Sequence, residues 1–387
     1  MEVPITSVAA PAPQPAATHV AAFDGIRALA ALAVVMFHIH GAPSRLFRFL
    51  IGGGWYGCDV FFVLSGFLIT RLLVDELGRH GSIDFPRFYW RRVLRLYPAL
   101  ISAVVLSLAL MKARGQSLPA SQIVYIITYT QNFWAIATFG VTLTGGVLLM
   151  QVWSLCIEEH FYLAWPLALR KMGRQRALVA LYWLVGAAVI LRVVIYVWLA
   201  PPSPGGWSRN PVNSTAEAFL YFCTLTRIDG IGIGCILGLL SERLSKMPRL
   251  YSSTALWLFV AVSVPMLVFG THLNWWYYTV GSPLMALNVG AIIAAIHLGT
   301  QNAFVRGLSW RPLVQIGKVS YGVYLLQFLP SSLVTLLVAH RYLPHGFFRI
   351  QWLVVPSMTV ALAFAHYRYV EKYFLSLRER RSQSPVC

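Results

Sequence analysis

The chain has 387 residues, of which 58% are hydrophobic and only 11% charged, too little polar surface to cover a soluble globule of this size. Lys and Arg number 31 against 13 Asp and Glu, a formal charge of +18. These bases sit in short loops between apolar runs, a pattern that sets membrane topology and argues against a nucleic-acid partner.

Residues 1–22, rich in Ala and Pro, carry no Lys or Arg ahead of the first apolar run. That argues against a cleaved secretory signal and for a disordered cytoplasmic tail. Crossing a bilayer takes roughly 20 mostly apolar residues. Suitable runs follow at 24–41, 56–74, 95–112, 153–169, 177–199, 217–240, 253–270, 282–298, 318–339 and 350–369. They predict an all-α polytopic bundle of about ten transmembrane helices over 23–375, closed by a basic cytoplasmic tail at 376–387. No transporter-like internal repeat is visible.

One further stretch, 122–137, mixes Gln, Asn and Thr into its apolar face. With the N-terminal tail inside, Arg79, Arg87, Arg91 and Arg92 fall in a cytoplasmic loop. If 122–137 does not cross, the later basic clusters also fall inside: Arg170, Lys171, Arg174 and Arg176, then Arg243, Lys246 and Arg249, then Arg306, Arg311 and Lys318, then Arg378, Arg380 and Arg381. The consistent solution is ten crossings with both termini cytoplasmic and 122–137 re-entrant or interfacial, its irregular backbone packed against protein. Cys58, Cys156, Cys223, Cys235 and Cys387 show no ligand spacing. They read as small apolar helix residues, with no metal site or disulfide framework.

Ionisable groups inside a bilayer are costly and are functional candidates by default. In the first run Arg27 and His38 lie eleven residues apart, about 1,100° at about 100° per residue, so they share a face and are expected to line one cavity. The rise separates them by about 16 Å, with Arg27 cytoplasmic and His38 in the outer half. His40 reads as interfacial. For His38 a packing role and a general base are the alternatives; a histidine is well matched to taking a proton from an alcohol near neutral pH. Asp59 opens the second run, either as a cap or as a partner orienting the His38 imidazole. Arg92 and Arg95, three apart at the cytoplasmic boundary, suit phosphate, although topology alone also places arginines there. Of the adjacent acids Glu158 and Glu159, one is expected to face a polar cavity, and Ser154, Glu158 and Tyr162 fall on one helical stripe. Arg227 and Asp229 lie early in a run that starts outside, as binding residues or as neutralisers of other buried charges. Motifs for nucleotide hydrolysis, metal ligation or a serine nucleophile elbow are absent.

Taken together, these residues resemble the integral-membrane acyltransferase family 3, whose members O-acylate sugars and other hydroxyl compounds. The resemblance rests on five elements in order: Arg27 and His38 within FDGIRALAALAVVMFH; Asp59 through Ile69, with FFVLSGFLI; Arg92 and Arg95 before Tyr97 and Pro98; the tract from Trp153 to Leu163; and VSYGVYLLQ, which echoes ISYxxYLxH. Where relatives commonly carry a histidine after YL, this chain has Gln327, which cannot accept a proton but can hydrogen-bond substrate.

The resemblance implies a cytoplasmic acyl donor, acetyl-CoA or another acyl-CoA, as co-substrate without a metal. It also implies a hydroxyl acceptor, a lipid-linked or surface glycan such as O-antigen, capsule or exopolysaccharide, or a macrolide or other small molecule. The expected catalytic residues are His38 as general base with Asp59 or Glu158 orienting or charging it; direct transfer and a transient acyl-histidine both remain open. Arg27, Arg92 and Arg95 are expected to hold the donor's phosphates. Ser65, Tyr162, Arg227, Asp229, Tyr321 and Gln327 complete the expected substrate-binding set. The expected location is the bacterial cytoplasmic (inner) membrane. No extracytoplasmic domain follows the last run in this sequence, so a second transfer step is expected to need a partner protein. The alternative of another class is a proton-coupled transporter or flippase, which moves substrate without chemical change.

Overall fold

A computed structural model describes residues 20–39, 44, 47, 51–138, 149–199, 215–247, 252–269 and 276–383. Residues 1–19 of the expected disordered tail, His40, Cys387 and the end of the basic tail fall outside the described residues, while Ala21 and Ala22, expected in that tail, open the first helix. Among the described residues the chain is helical without strands. Its helices are α1 (Ala21–Phe37), α2 (Gly57–His80), α3 (Phe85–Ala113), α4 (Ala120–Ile127), α5 (Gln131–Ala137), α6 (Val152–Leu199), α7 (Thr215–Phe222), α8 (Thr224–Leu244), α9 (Ser253–Phe269), α10 (Ser282–His297), α11 (Ala303–Leu308), α12 (Arg311–Lys318), α13 (Ser320–Leu326), α14 (Phe328–Ala339), α15 (Gln351–His366) and α16 (Lys372–Gln383). A 3-10 turn, Gly54–Tyr56, leads into α2, and π turns, Tyr277–Gly281 and Tyr367–Glu371, precede α10 and α16.

Among the described residues six helical segments are long and apolar enough to cross a membrane, against about ten expected. The difference has two sources. Two expected runs, 153–169 and 177–199, are joined in the 48-residue α6, interrupted at Gly173 with φ 70°, a left-handed conformation that glycine adopts without a Cβ penalty. The helices over three other runs, α1, α9 and α15, have 17, 17 and 16 residues.

The 122–137 stretch forms α4 and α5, eight and seven residues long, each far short of the roughly 20 a crossing needs. Tyr129, with φ 55°, breaks the backbone between them. The polar residues that set this stretch apart are buried: Gln122, Gln131 and Asn132. Asn132 Nδ2 donates to the Phe222 carbonyl (3.3 Å) and to Thr224 Oγ1 (3.1 Å). The His160 ring also holds Thr224 Oγ1, at 2.8 Å, and stacks on Phe133. Asn132 is thus tied to protein through its amide nitrogen, as a polar group is where water is excluded.

At the centre, α2 crosses α8 in direct backbone contact. A Cβ at Gly66 would strike the Ile231 carbonyl, and one at Gly234 would strike the Val63 carbonyl. Small residues at such crossings let helices gain close packing where lipid supplies no hydrophobic drive. Around this seam the buried aromatic and aliphatic residues of α1, α2, α6, α8 and α10 form the two largest core clusters.

Candidate active site

A cavity of about 210 Å³ lies between α2, α3, α6 and α13, with Arg27 of α1 and Tyr129 of the α4–α5 break completing its wall. Its position follows from helix periodicity. Arg92 and Arg95 are three apart on α3, and Ser154, Glu158 and Tyr162 recur every fourth residue on α6, so each helix turns one polar stripe inward. From α2 comes Ser65, and from α13 Tyr321 and Tyr324.

Glu158 is the polar hub. Its Oε2 accepts hydrogen bonds from Ser65 Oγ at 2.8 Å and Tyr162 OH at 3.0 Å, and the two hydroxyls also touch each other. Arg92 lies with its guanidinium carbon 3.2 Å from the centre of the Tyr162 ring and its Nη1 3.5 Å from Glu159 Oε1. Arg27 pairs with Asp24 at 3.3 Å, one helical turn back. Three guanidiniums and two carboxylates therefore line this one chamber, its guanidiniums offering forked donors to an anionic ligand. At another part of the wall Tyr324 OH meets Ser154 Oγ at 2.5 Å, the Gln151 carbonyl at 3.1 Å and Cys58 Sγ at 3.6 Å. A second cavity of about 310 Å³ adjoins the first and shares Arg92, Leu96, Tyr129, Glu159 and Tyr162 with it.

Of the expected site residues, Arg27, Ser65, Arg92, Arg95, Glu158, Tyr162 and Tyr321 are brought together in the cavity. His38, Asp59, Arg227, Asp229 and Gln327 are not among its lining residues. The shared chamber expected for Arg27 and His38 is therefore not seen. The helix ends at Phe37, so His38 falls in the C-cap, its ring edge-on to Phe37 and Phe328. Its Nδ1 lies 2.8 Å from the Val34 carbonyl oxygen. A carbonyl only accepts, so Nδ1 carries the proton and Nε2 is the basic nitrogen of the neutral ring.

Asp59 does not orient that imidazole. It pairs with Arg227 at 3.1 Å and accepts from Ser282 Oγ at 3.0 Å and Tyr277 OH at 3.4 Å. Asp229 binds Arg192 at 2.7 Å, both side chains 1% exposed. Arg227 and Asp229 thus each neutralise another buried charge, one of the two roles open from the sequence. Gln327 donates through Nε2 to the Tyr324 carbonyl at 3.0 Å.

Sequence reasoning missed Arg192, although a lone arginine within an apolar run calls for a carboxylate partner. It also missed Tyr129, whose place in the wall depends on a chain break that no periodicity marks. Cys58, Cys156, Cys223 and Cys235 are free and buried.

The acyltransferase domain family model matches residues 20–368. The putative peptidoglycan O-acetyltransferase YrhL of Bacillus subtilis is 29% identical over 379 residues, covering 92% of this chain and 54% of the relative. The peptidoglycan O-acetyltransferase OatA of Listeria monocytogenes is 29% identical over 338 residues, 82% of this chain and 50% of the relative. The O-acetyltransferase OatA of Staphylococcus aureus strain MRSA252 is 27% identical over 383 residues, 93% and 59%. The chain spans a little over half the length of these curated relatives. No solved structure matches it. With the family match running from the start of α1 to the last π turn, the chain belongs to the acyltransferase domain family.

Proposed function

We propose that the chain is a membrane O-acetyltransferase that moves an acetyl group from cytoplasmic acetyl-CoA to a hydroxyl of a cell-surface glycan. The observation that carries this reading is the chamber in which Arg27, Arg92 and Arg95 surround the hydrogen-bonded Glu158, Ser65 and Tyr162. Guanidiniums suit the phosphates of a coenzyme A donor. The curated relatives named for peptidoglycan favour a cell-wall glycan over a small-molecule acceptor.

In this proposal the membrane is the bacterial cytoplasmic membrane, crossed ten times with both termini inside. Gly173 marks a cytoplasmic turn within α6, and the α4–α5 pair is re-entrant. Tyr129 packs edge-on against Tyr97, two residues after Arg95 on α3, which supports placing the tip of the re-entrant pair beside the donor arginines.

The donor then enters from the cytoplasmic ends of α1 and α3, where the arginines lie. His38, at the other end of α1, serves the acceptor. As the acceptor oxygen attacks the thioester carbonyl, its proton passes to His38 Nε2. A C–O bond forms, the C–S bond breaks, and the coenzyme A thiolate takes that proton from His38 and leaves as the thiol. Glu158, held by two hydroxyls, supplies negative charge on the donor side. A transient acyl-imidazole would divide this into two steps and would show as a burst of thiol before product.

Purified protein in nanodiscs with acetyl-CoA and a muropeptide or polysaccharide acceptor provides the test. Thiol release that depends on acceptor, with acetylated product recovered, is expected. Uptake of substrate without thiol release would overturn the reading in favour of a carrier. Comparing glycan acetyl content with and without the gene then identifies the acceptor.

A further inference from the structure

A second cluster with acyl-transfer geometry lies outside the cavity. Ser102 Oγ on α3 is 2.5 Å from His366 Nε2 at the end of α15, and His366 Nδ1 is 3.0 Å from Glu371 Oε1. His366 and Glu371 are buried and Ser102 is half-buried. A hydroxyl within reach of an imidazole that is itself oriented by a carboxylate is the arrangement that activates serine nucleophiles.

Two features hold the carboxylate in place. His366 and Glu371 are five apart, which on a regular α-helix leaves them about 140° out of register. The π turn Tyr367–Glu371 widens the helix at that point and closes the pair; such single-turn bulges recur at functional sites. Opposite, Gly322 leaves room for the carboxylate, since a Cβ there would lie 3.3 Å from Glu371 Oε1. Access comes from the side. Ser102 neighbours the exposed Ile101, Val105 and Leu106 on α3, a surface that faces lipid in the proposed orientation.

We propose that Ser102, His366 and Glu371 form a second acyl-transfer site that takes a carbonyl ester carried by an amphiphile in the bilayer. Ser102 Oγ attacks the carbonyl carbon and its proton passes to His366 Nε2. The acyl–oxygen bond then breaks, and the leaving alcohol takes that proton. Water repeats the sequence on the acyl-serine and releases the carboxylic acid. Glu371 is a positioning residue that keeps the Nδ1 proton directed towards itself. The site is independent of the cavity, so it stands or falls separately from the acetyl-CoA reading.

A fluorophosphonate probe with an alkyl chain, applied to the full-length protein in nanodiscs, tests this. The expected result is one labelled peptide containing Ser102. Label should be lost in Ser102→Ala and slowed about a hundredfold in His366→Asn, while persisting in Glu158→Gln, which tests the first site. If Ser102→Ala does not fold, Ser102→Cys gives a second readout: iodoacetamide alkylation that slows when His366→Asn is added. A folded wild-type protein that takes no label, or takes it at another residue, overturns the proposal. So does a Ser102→Cys thiol whose alkylation is indifferent to His366, since the cluster would then be only a tie between α3 and α15.

Discussion

Two groups of charges occupy this bundle, and they differ in how fully each charge is answered. Around α2, α6 and α8, Asp59 meets Arg227 and Asp229 meets Arg192, with every one of these side chains at most 2% exposed. In the cavity, Arg92 and Glu159 stand 3.5 Å apart with side chains 20% and 21% exposed, and Glu158 is bonded to neutral hydroxyls. The first group is closed upon itself and serves the fold. The second is left partly open, and in the proposed reading it is where the donor binds. Residue type alone does not separate the two roles; the completeness of the pairing does.

Breaking the closed group should give the largest effect. Arg192→Ala leaves Asp229 buried without its partner and should cost about 3–5 kcal/mol, seen as loss of monodisperse protein in detergent. The double change Arg192→Leu with Asp229→Leu removes both charges and should recover most of that stability, because a buried pair is often matched by apolar residues of similar volume. If the double variant is as unstable as the single, the pair does more than neutralise itself.

The proposed chemistry comes next. His38→Ala should lower acceptor-dependent thiol release by about a hundredfold or more with the thermal midpoint little changed. Retained turnover in folded protein would remove His38 from the reaction.

A smaller effect is expected at the donor end. Arg95→Ala should raise the KM for acetyl-CoA by about tenfold, from one charge-assisted contact of about 1.5–3 kcal/mol partly replaced by neighbouring arginines, with kcat changed less. Equal loss in both constants would move Arg95 from binding to chemistry. The mildest change is Ser65→Ala, which takes one of two hydroxyl donors from Glu158 and should cost about 1 kcal/mol in stability, read as a lower thermal midpoint.

The same contrast explains what was legible in the sequence. Helix periodicity put Ser154, Glu158 and Tyr162 on one stripe, and all three line the cavity. Arg92 and Arg95 followed by the same logic. What failed were the pairings expected of His38, with Arg27 in one chamber and with Asp59 as its orienting carboxylate. Asp59 was read beside His38 because both lie near outer helix ends, yet it reaches Arg227, whose place depends on the glycine seam between α2 and α8. Arg192 went unnoticed because its answer, Asp229, is 37 positions away. The angle puts Arg27 and His38 on one α1 face, but α1 ends at Phe37 and the cavity takes in Arg27 without His38. Counting helices by their ends meets its limit at Gly173, whose non-helical backbone, φ 70° and ψ 168°, kinks the chain between the two apolar runs.

The seam between α2 and α8 carries a mechanical consequence. With Gly66 and Gly234 each set against the opposite backbone, these helices have no side chain between them at those two points to slide over or compress, which ties them together as one strut. In the proposed reading, any room a bulky donor requires would come from the other walls of the cavity while the strut keeps Ser65 in position.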